Sequence, residues 1–382
     1  MINILLLGLV SFFVDVSTEM VYPLIPLYLT SAFGATPSLV GLIEGIAESL
    51  ASLLKVVSGM LSDRYKRKKP LAILGYCTSL VYKLALILST SWLGILTARV
   101  IDRFGKGVRT APRDVLVSEN AGECKQGAAF GLHKSLDMAG SALGILLAFW
   151  LMKSTTGDFA YKKVFLISAV PAVIGIIILF FVKEKRVPRE NKTKKDKITF
   201  RALDRRLQYF LLITFLFNLG NSSNAFLLLR AQNVGFKADT VILLYFLYNL
   251  TSSLLALPFG KLSDKIGRRK LLVAGYMVFG FVYLGFAFAS RQWMMTALFI
   301  LYGLYTAMTA GVERALIAQI APPEHKGAVL GLHASLIGIA LLPASLIAGM
   351  LWDTVAPFAP FVLGGVLAFG AAGSLCMVLK KE

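Results

Sequence analysis

GMLSDRYKRKK at positions 59–69 returns as GKLSDKIGRRK at 260–270. Each copy closes a long apolar run with a glycine, an aspartate and a cluster of lysine and arginine. A second pair, AFGLHKSL at 129–136 and VLGLHASL at 329–336, repeats at nearly the same offset. Two matches in register mark an internal duplication, so whatever fold one half adopts the other shares.

The solvent for both halves is lipid. The chain has 382 residues, of which 57% are apolar and 16% charged, against roughly 25% charged in soluble domains. The mean hydropathy is +0.71. Apolar runs of about 20 residues recur throughout, each long enough to cross the hydrocarbon core as a helix, and the alternation of a membrane β-barrel is missing. The length rule places spans near 4–32, 38–62, 70–90, 92–118, 126–152 and 163–183, then 208–232, 239–262, 271–290, 292–320, 327–351 and 357–379. The stretch 184–207 is polar and basic and reads as a linker. The expectation is an all-α membrane protein with about twelve spans, its six-helix bundles 1–183 and 208–382 related by a pseudo-two-fold axis along the membrane normal.

The net charge of +19 resides in short tracts between apolar runs, which fits the positive-inside rule better than a nucleic-acid partner. Arg64 to Lys69, Lys183 to Arg206 and Lys265 to Lys270 are therefore expected in the cytoplasm. Both termini follow them, in the inner membrane of a bacterium or archaeon. Cys77, Cys124 and Cys376 supply neither a disulfide framework nor metal-site spacing. Asp15 and Glu19 interrupt the first apolar run, and no basic segment precedes it, so it reads as a retained span rather than a cleaved leader.

The duplicated loop resembles the G-x-L-[SA]-D-[RK]-x-G-R-[RK] signature of the major facilitator superfamily. Gly260, Asp264, Lys265, Gly267, Arg268 and Arg269 match it, while the first copy has Lys66 in place of a glycine. The resemblance implies a transporter working by alternating access. It also implies a cytoplasmic gate at Gly59, Asp63, Arg64 and Arg67 and at Gly260, Asp264, Lys265 and Arg268. The glycines permit close helix approach, and the acids at helix ends suit charge pairs that break and re-form.

An ionisable group at the centre of a spanning helix costs about 2.5–3.5 kcal/mol on insertion scales, so each is a functional candidate. Asp15 and Glu19 share a face of the first span, and Glu44, Glu48 and Lys55 a stripe on the second. In RVIDRFGKGVRTAPRD, residues 99–114, the side chains of Arg99, Asp102, Arg103, Lys106, Arg109 and Arg113 project within an arc of about 120°. Gly105 and Gly107 would admit a neighbour or solute to the backbone there, and Pro112 is positioned to kink it. Arg103, preceding Gly107, loosely resembles a superfamily motif linked to proton transfer. His133, Lys134 and Asp137 follow on the fifth span. Asp15, Glu19, Glu44, Glu48, Asp102, Arg103, His133 and Asp137 are the proton-coupling candidates. Structural pairing is the alternative, with Asp15 or Glu19 on Arg103 and Glu48 on Lys55.

The second half is less charged. It offers Asn218, Asn221 and Asn224 on one face of the seventh span, Tyr245, Tyr248 and Asn249 on the eighth, and Glu313 with Arg314 on the tenth. Together with Arg109 and Arg113, those amides and phenols are the solute-contact candidates. Glu313 and Arg314 fall opposite Arg113 and Asp114 in the repeat, an inverted pair suited to a gate or helix tie. His133 and His333 are also equivalent, and with Asp15 they form an alternative divalent-metal set, as the ferroportin branch of the superfamily would imply.

No Walker phosphate-binding spacing and no Ser-His-Asp or H-E-x-x-H arrangement occurs, so neither nucleotide-driven pumping nor catalysis is indicated, and no cofactor is implied. A sensor would add a soluble domain, and the longest polar stretch is the linker. The expected function is secondary transport of a small solute by a monomer, coupled to protons and directed outward. Drug-exporting relatives carry a Gly-Pro on the fifth span, absent from GLHKSLDMAGSALGILLA, although Gly140 and Gly144 are present. Uptake of an anionic metabolite on the basic face is the alternative. The charge bias predicts that fluorescent-protein fusions at either terminus glow, and that periplasm-dependent alkaline phosphatase fused at Lys237 is active; the opposite pattern would invert the topology.

Overall fold

Apolar runs punctuated by proline, glycine and charge become fourteen helices in the computed structural model, which describes residues 2–64, 68–121, 126–154, 158–184, 203–321 and 326–378. In chain order they are α1 Ile2–Glu19, α2 Leu24–Phe33, α3 Pro37–Arg64, α4 Lys69–Leu88, α5 Trp92–Ala121, α6 Gln126–Lys153, α7 Asp158–Phe181, α8 Arg205–Gly220, α9 Ala225–Asn233, α10 Ala238–Ile266, α11 Arg268–Phe288, α12 Gln292–Ile320, α13 Lys326–Thr354 and α14 Ala359–Val378. All regular structure among the described residues is helical. The linker positions 185–202, and with them most of the expected 184–207 connection, lie outside the described residues.

Two expected spans are broken. The run at 4–32 divides into α1 and α2 around Met20 to Pro23, where Pro23 has no N–H to donate. The run at 208–232 divides into α8 and α9 at Asn221 to Asn224, a string of side chains that compete with the backbone for hydrogen bonds. Counting each broken pair once, eleven spans among the described residues are long and apolar enough to cross a membrane. The remaining long helix is α5, whose charged inner stretch excludes it on composition rather than length.

The chain divides into two compact units, one of Met1–Ala35, Ile46–Glu190 and Ala238–Leu243, the other of Thr36–Gly45, Asn191–Lys237 and Leu244–Glu382. In the first unit, Ile4, Leu7, Val10 and Val14 of α1 pack with Ala72 and Tyr76 of α4, Leu116 and Val117 of α5, and Leu179 of α7. Glycines set how closely its helices approach. A Cβ on Gly140 would lie 2.3 Å from the Phe12 carbonyl oxygen, and one on Gly144 would lie 2.4 Å from that of Val16. Hence α6 lies directly on the α1 backbone. Gly75 and Gly105 bring α4 and α5 together in the same way, and Gly107 receives Leu54 of α3. The glycines of α5 thus admit neighbouring helices.

The second unit is built around α11. Phe217 of α8 stacks on Tyr276 with ring centroids 3.9 Å apart, and Phe279 stacks on Tyr283 at the same spacing. Gly364 of α14 fits between the Gly220 carbonyl and the Tyr283 ring. The turn between α10 and α11 is made by Gly267 at φ 94°, a conformation side chains resist. That is the structural reason for the glycine in the second copy of the repeated loop.

Outward faces carry large apolar side chains with no protein cover, among them Trp150, Phe159, Phe180, Phe181, Phe281, Phe288 and Trp293. In water such surfaces would be an aggregation hazard; against lipid they are the expected exterior. The α1–α6 contact is tested by Gly140→Ala, whose Cβ must displace backbone, against Gly370→Ala, which meets nothing within 4 Å. The first is expected to destabilise by about 1–3 kcal/mol and the second to be neutral in thermal unfolding of detergent-purified protein. Equal melting temperatures for the two would refute tight packing at Gly140.

Candidate functional site

The close packing of α1 on α6 has a chemical result. Asp15 and Asp137 meet across it, each carboxyl in the other's field, with Glu19 and Lys106 close enough to act electrostatically on Asp15. Two facing carboxyls repel when both are ionised, and a proton on one of them relieves the repulsion. The sequence placed both residues among the proton-coupling candidates without showing that they touch.

Along α5 two arginines converge on one carboxylate. The Arg103 guanidinium lies 3.0 Å from Glu48 Oε1 and 3.7 Å from Asp102 Oδ2, and Arg99 lies 4.0 Å from Glu48. Arg99 and Arg103 are only 1% and 2% exposed. Both also sit over the Tyr22 ring, 5.4 and 5.7 Å from its centroid, an aromatic contact created by the α1–α2 break. The expected pairing of Arg103 with Asp15 or Glu19 is therefore corrected: Arg103 belongs to Glu48. Glu48 in turn is committed to α5, whereas the Lys55 side chain, like that of Lys134, lies outside the described residues. Glu44 is buried, as is Asp102, which has Lys83, Arg109 and Arg99 among its charged neighbours.

Tyrosine and histidine at repeat-equivalent positions frame a residue of opposite charge in the two units. In the first, Arg113 bonds Asp114 at 2.9 Å and reaches Ser11 Oγ at 3.5 Å, Ser11 also meets His133 Nε2 at 2.9 Å, and Arg109 covers Tyr76 at 4.7 Å. In the second, Glu313 accepts a hydrogen bond from the Tyr276 hydroxyl at 2.9 Å and lies 3.6 Å from His333 Nε2. Arg113 and Asp114 pair within α5, whereas Glu313 ties α12 to α11 through Tyr276 and stands near His333 of α13. Tyr76 and Tyr276 escaped the sequence reading, although GY at 75–76 and 275–276 is a further copy of the repeat.

Glu313, Arg314 and His333 line a cavity of about 530 Å³ with Phe217, Asn218, Tyr305, Thr306 and Thr309. Beside it stands an aromatic tier: Tyr302 lies 5.0 Å from Tyr248 and 5.4 Å from Tyr305, and Phe279 lies 4.8 Å from Tyr305. The three asparagines do not share one continuous helical face, because the chain breaks between them. Asn218 is on α8 and lines the cavity, Asn221 donates to the Tyr305 hydroxyl at 3.3 Å, and Asn224 accepts from the Tyr302 hydroxyl at 3.0 Å. Tyr245 is buried, and Asn249 donates back to the Tyr245 carbonyl at 2.9 Å. The phenols of α11 and α12 carry no periodic charge signal, so an apolar reading of those runs passed over them.

Two relatives and a solved structure bear on this arrangement. The family model of the Major Facilitator Superfamily matches residues 7–222 and 209–382. This chain belongs to the major facilitator superfamily. An uncharacterised MFS-type transporter of Methanocaldococcus jannaschii is 40% identical over 376 residues, 96% of this chain and 92% of the relative. A multi-drug resistance efflux pump homologue of Lactococcus lactis is 25% identical, over 84% of this chain and 81% of its own length. The crystal structure of the nucleoside transporter NupG, in a mutant form, superposes with a TM-score of 0.83 at 12% identity, covering 99% of this chain and 100% of the other. The chain is thus an MFS transporter rather than an enzyme.

Within the MFS loop motif, Arg268 bonds Asp264 at 3.2 Å and also donates to the Ala315 carbonyl at 2.8 Å and Gln319 at 3.2 Å. The motif arginine thereby ties the end of α10 to α12. Its neighbours cap the last helix of each repeat: Lys69 donates to the carbonyls of Phe180 and Val182, both at 2.7 Å, and Arg269 to that of Cys376. Lys265 is exposed, and a Cβ on Gly260 would meet nothing within 4 Å. In the first copy, the side chains of Asp63 and Arg64 and the surroundings of Gly59 lie outside the described residues, as does Arg67 altogether. Of the alternative metal set, Asp15 and His133 belong to the first unit and His333 to the second; among the described residues no group of three His, Cys, Asp or Glu is placed to hold an ion. Removing one partner of a buried ion pair strands the other. Glu48→Gln is therefore expected to lower stability by about 3 kcal/mol, with much of the loss recovered in Glu48→Gln/Arg103→Met; a double variant no more stable than the single would contradict the pairing.

Proposed function

We propose that this MFS transporter exports a small solute in exchange for protons, and that Asp15 and Asp137 carry the exchanged proton. The observation behind the proposal is the juxtaposition of those two carboxyls, each in the other's field. With the proton present the pair is satisfied; with it gone, two like charges face each other and the Lys106 ammonium becomes the natural counter-charge. Transport then follows the usual logic of linked equilibria, in which proton and solute favour different conformations. The bundles 1–183 and 208–382 move about the 184–207 linker, with both termini on the cytoplasmic side of the inner membrane and a single chain as the working unit.

Outward direction is supported by the efflux annotation of the Lactococcus lactis relative. The pairing on α5 weighs against anion uptake. Arg99, Arg103 and Arg113 already have carboxylate partners, so the basic face offers an anionic solute far less free charge than its sequence suggests. Glu19 supports the pair by acting electrostatically on Asp15.

The test is solute flux in proteoliposomes, screened with organic cations, anions and neutral compounds, with and without an imposed pH gradient. Whichever solutes move should lose most of their accumulation when nigericin collapses the gradient. Asp15→Asn or Asp137→Asn should reduce the gradient response at least tenfold while leaving solute exchange measurable. Flux indifferent both to the gradient and to neutralising Asp15, Glu19 and Asp137 singly would end the proton-coupling reading.

A further inference from the structure

The second unit's cavity is lined by two buried polar groups, the Glu313 carboxylate and the His333 imidazole. One oxygen of Glu313 is occupied by the Tyr276 hydroxyl, while the other lies 3.6 Å from His333 Nε2, beyond hydrogen-bond length. That imidazole nitrogen is buried without a hydrogen-bond partner. His333 is 5% exposed and Glu313 9%, yet both line the cavity. A buried polar atom left unsatisfied costs about 1–3 kcal/mol, which a ligand bearing N–H groups would recover. The ring is held in place for this: it lies nearly parallel to Phe210, with a 14° angle between the planes.

We propose that this cavity binds the ammonium head of an apolar aromatic amine, with N–H groups directed to Glu313 Oε2 and His333 Nε2 and the ring system against Phe217 and Tyr305. The assignment deepens the transport reading above and rests on it for its biological sense, because it names the exported solute's class. Several features point the same way. A carboxylate is the right counter-charge for an ammonium, and with its proton on Nδ1 the imidazole offers a lone pair at Nε2. Aromatic faces attract cations. The volume of about 530 Å³ falls within the roughly 300–1,000 Å³ of drug-sized sites, far more than a proton needs. An anionic solute would meet Glu313 head-on. Arg314 is the one arginine or lysine of the lining; its side chain is exposed, and it makes no ion pair with Glu313 among the described residues. It acts at the rim, where it weakens rather than supplies amine binding.

The experiment is equilibrium binding of radiolabelled naphthylmethylamine to the full-length protein in detergent, without a pH gradient. Competitors are the unlabelled amine, naphthylacetate and methylnaphthalene. The wild type should bind the amine saturably, with displacement by the amine but not by the carboxylate or the hydrocarbon. Glu313→Gln should weaken binding at least tenfold. His333→Phe, which keeps a ring and removes the acceptor, should weaken it severalfold and reads the same site if the glutamine variant does not fold. Arg314→Gln should bind the amine as tightly as the wild type or more so. The proposal is overturned by absence of saturable amine binding to the wild type, by displacement with naphthylacetate, or by undiminished binding to folded Glu313→Gln. Because no gradient is present, these outcomes are independent of whether Asp15 and Asp137 couple transport to protons.

Discussion

Arg103 is buried to 2% exposure in a bundle whose exterior is apolar, and Glu48 meets it at 3.0 Å. In hydrocarbon no water relieves an unmatched charge, so each ion must find a protein partner or an aromatic face. This requirement organises the first unit. It binds α5 to α3 through Glu48, and it brings Tyr22 over both arginines from the break between α1 and α2. It also explains why α5 turns Arg99, Asp102 and Arg103 inward while Leu93 and Phe104 stay exposed. The basic face that looked in the sequence like an open rail is largely an internal network.

Close approach is the second physical condition, and glycine supplies it. Gly140 and Gly144 set α6 directly on the backbone of α1. The contact places Asp15 beside Asp137, two acids that a bulkier interface would hold apart. Packing and chemistry are one feature here, since the same residues that seat the helix decide that two acids touch. On α5, Gly105 and Gly107 serve neighbouring helices in the same manner.

Duplication preserved the frame and changed its content. Tyr76 and His133 recur as Tyr276 and His333, yet between them Arg113 is replaced by Glu313. In the first unit the cation turns to the adjacent Asp114 and the histidine to Ser11. In the second, the acid spans from tyrosine toward histidine beside a cavity walled by Phe217 and Tyr305. One scaffold thus holds a charge network in one unit and an aromatic pocket beside the buried acid Glu313 in the other.

Much of the architecture was legible in the linear chain. Apolar length gives spans, basic tracts give their expected orientation, and the repeated GxLSD phrase relates the halves; all of these depend on local composition or on direct self-similarity. The ion partners were not legible. Helical periodicity tells which side chains share a face, not which neighbouring face they meet, so Arg103 was set against the first span rather than against Glu48 of α3. The interruptions at Met20 to Pro23 and Asn221 to Asn224 were hidden by hydropathy, which averages over a few unwound residues. The aromatic tier was hidden because phenols count as apolar in a span until their hydroxyls are seen to meet Asn221, Asn224 and Glu313. The sequence by itself determined a duplicated, lipid-embedded helical transporter, because burying that much apolar length in a bilayer leaves little other choice. Only tertiary structure decided which charges neutralise one another and which groups remain facing a cavity, because both depend on distances between helices far apart in the chain.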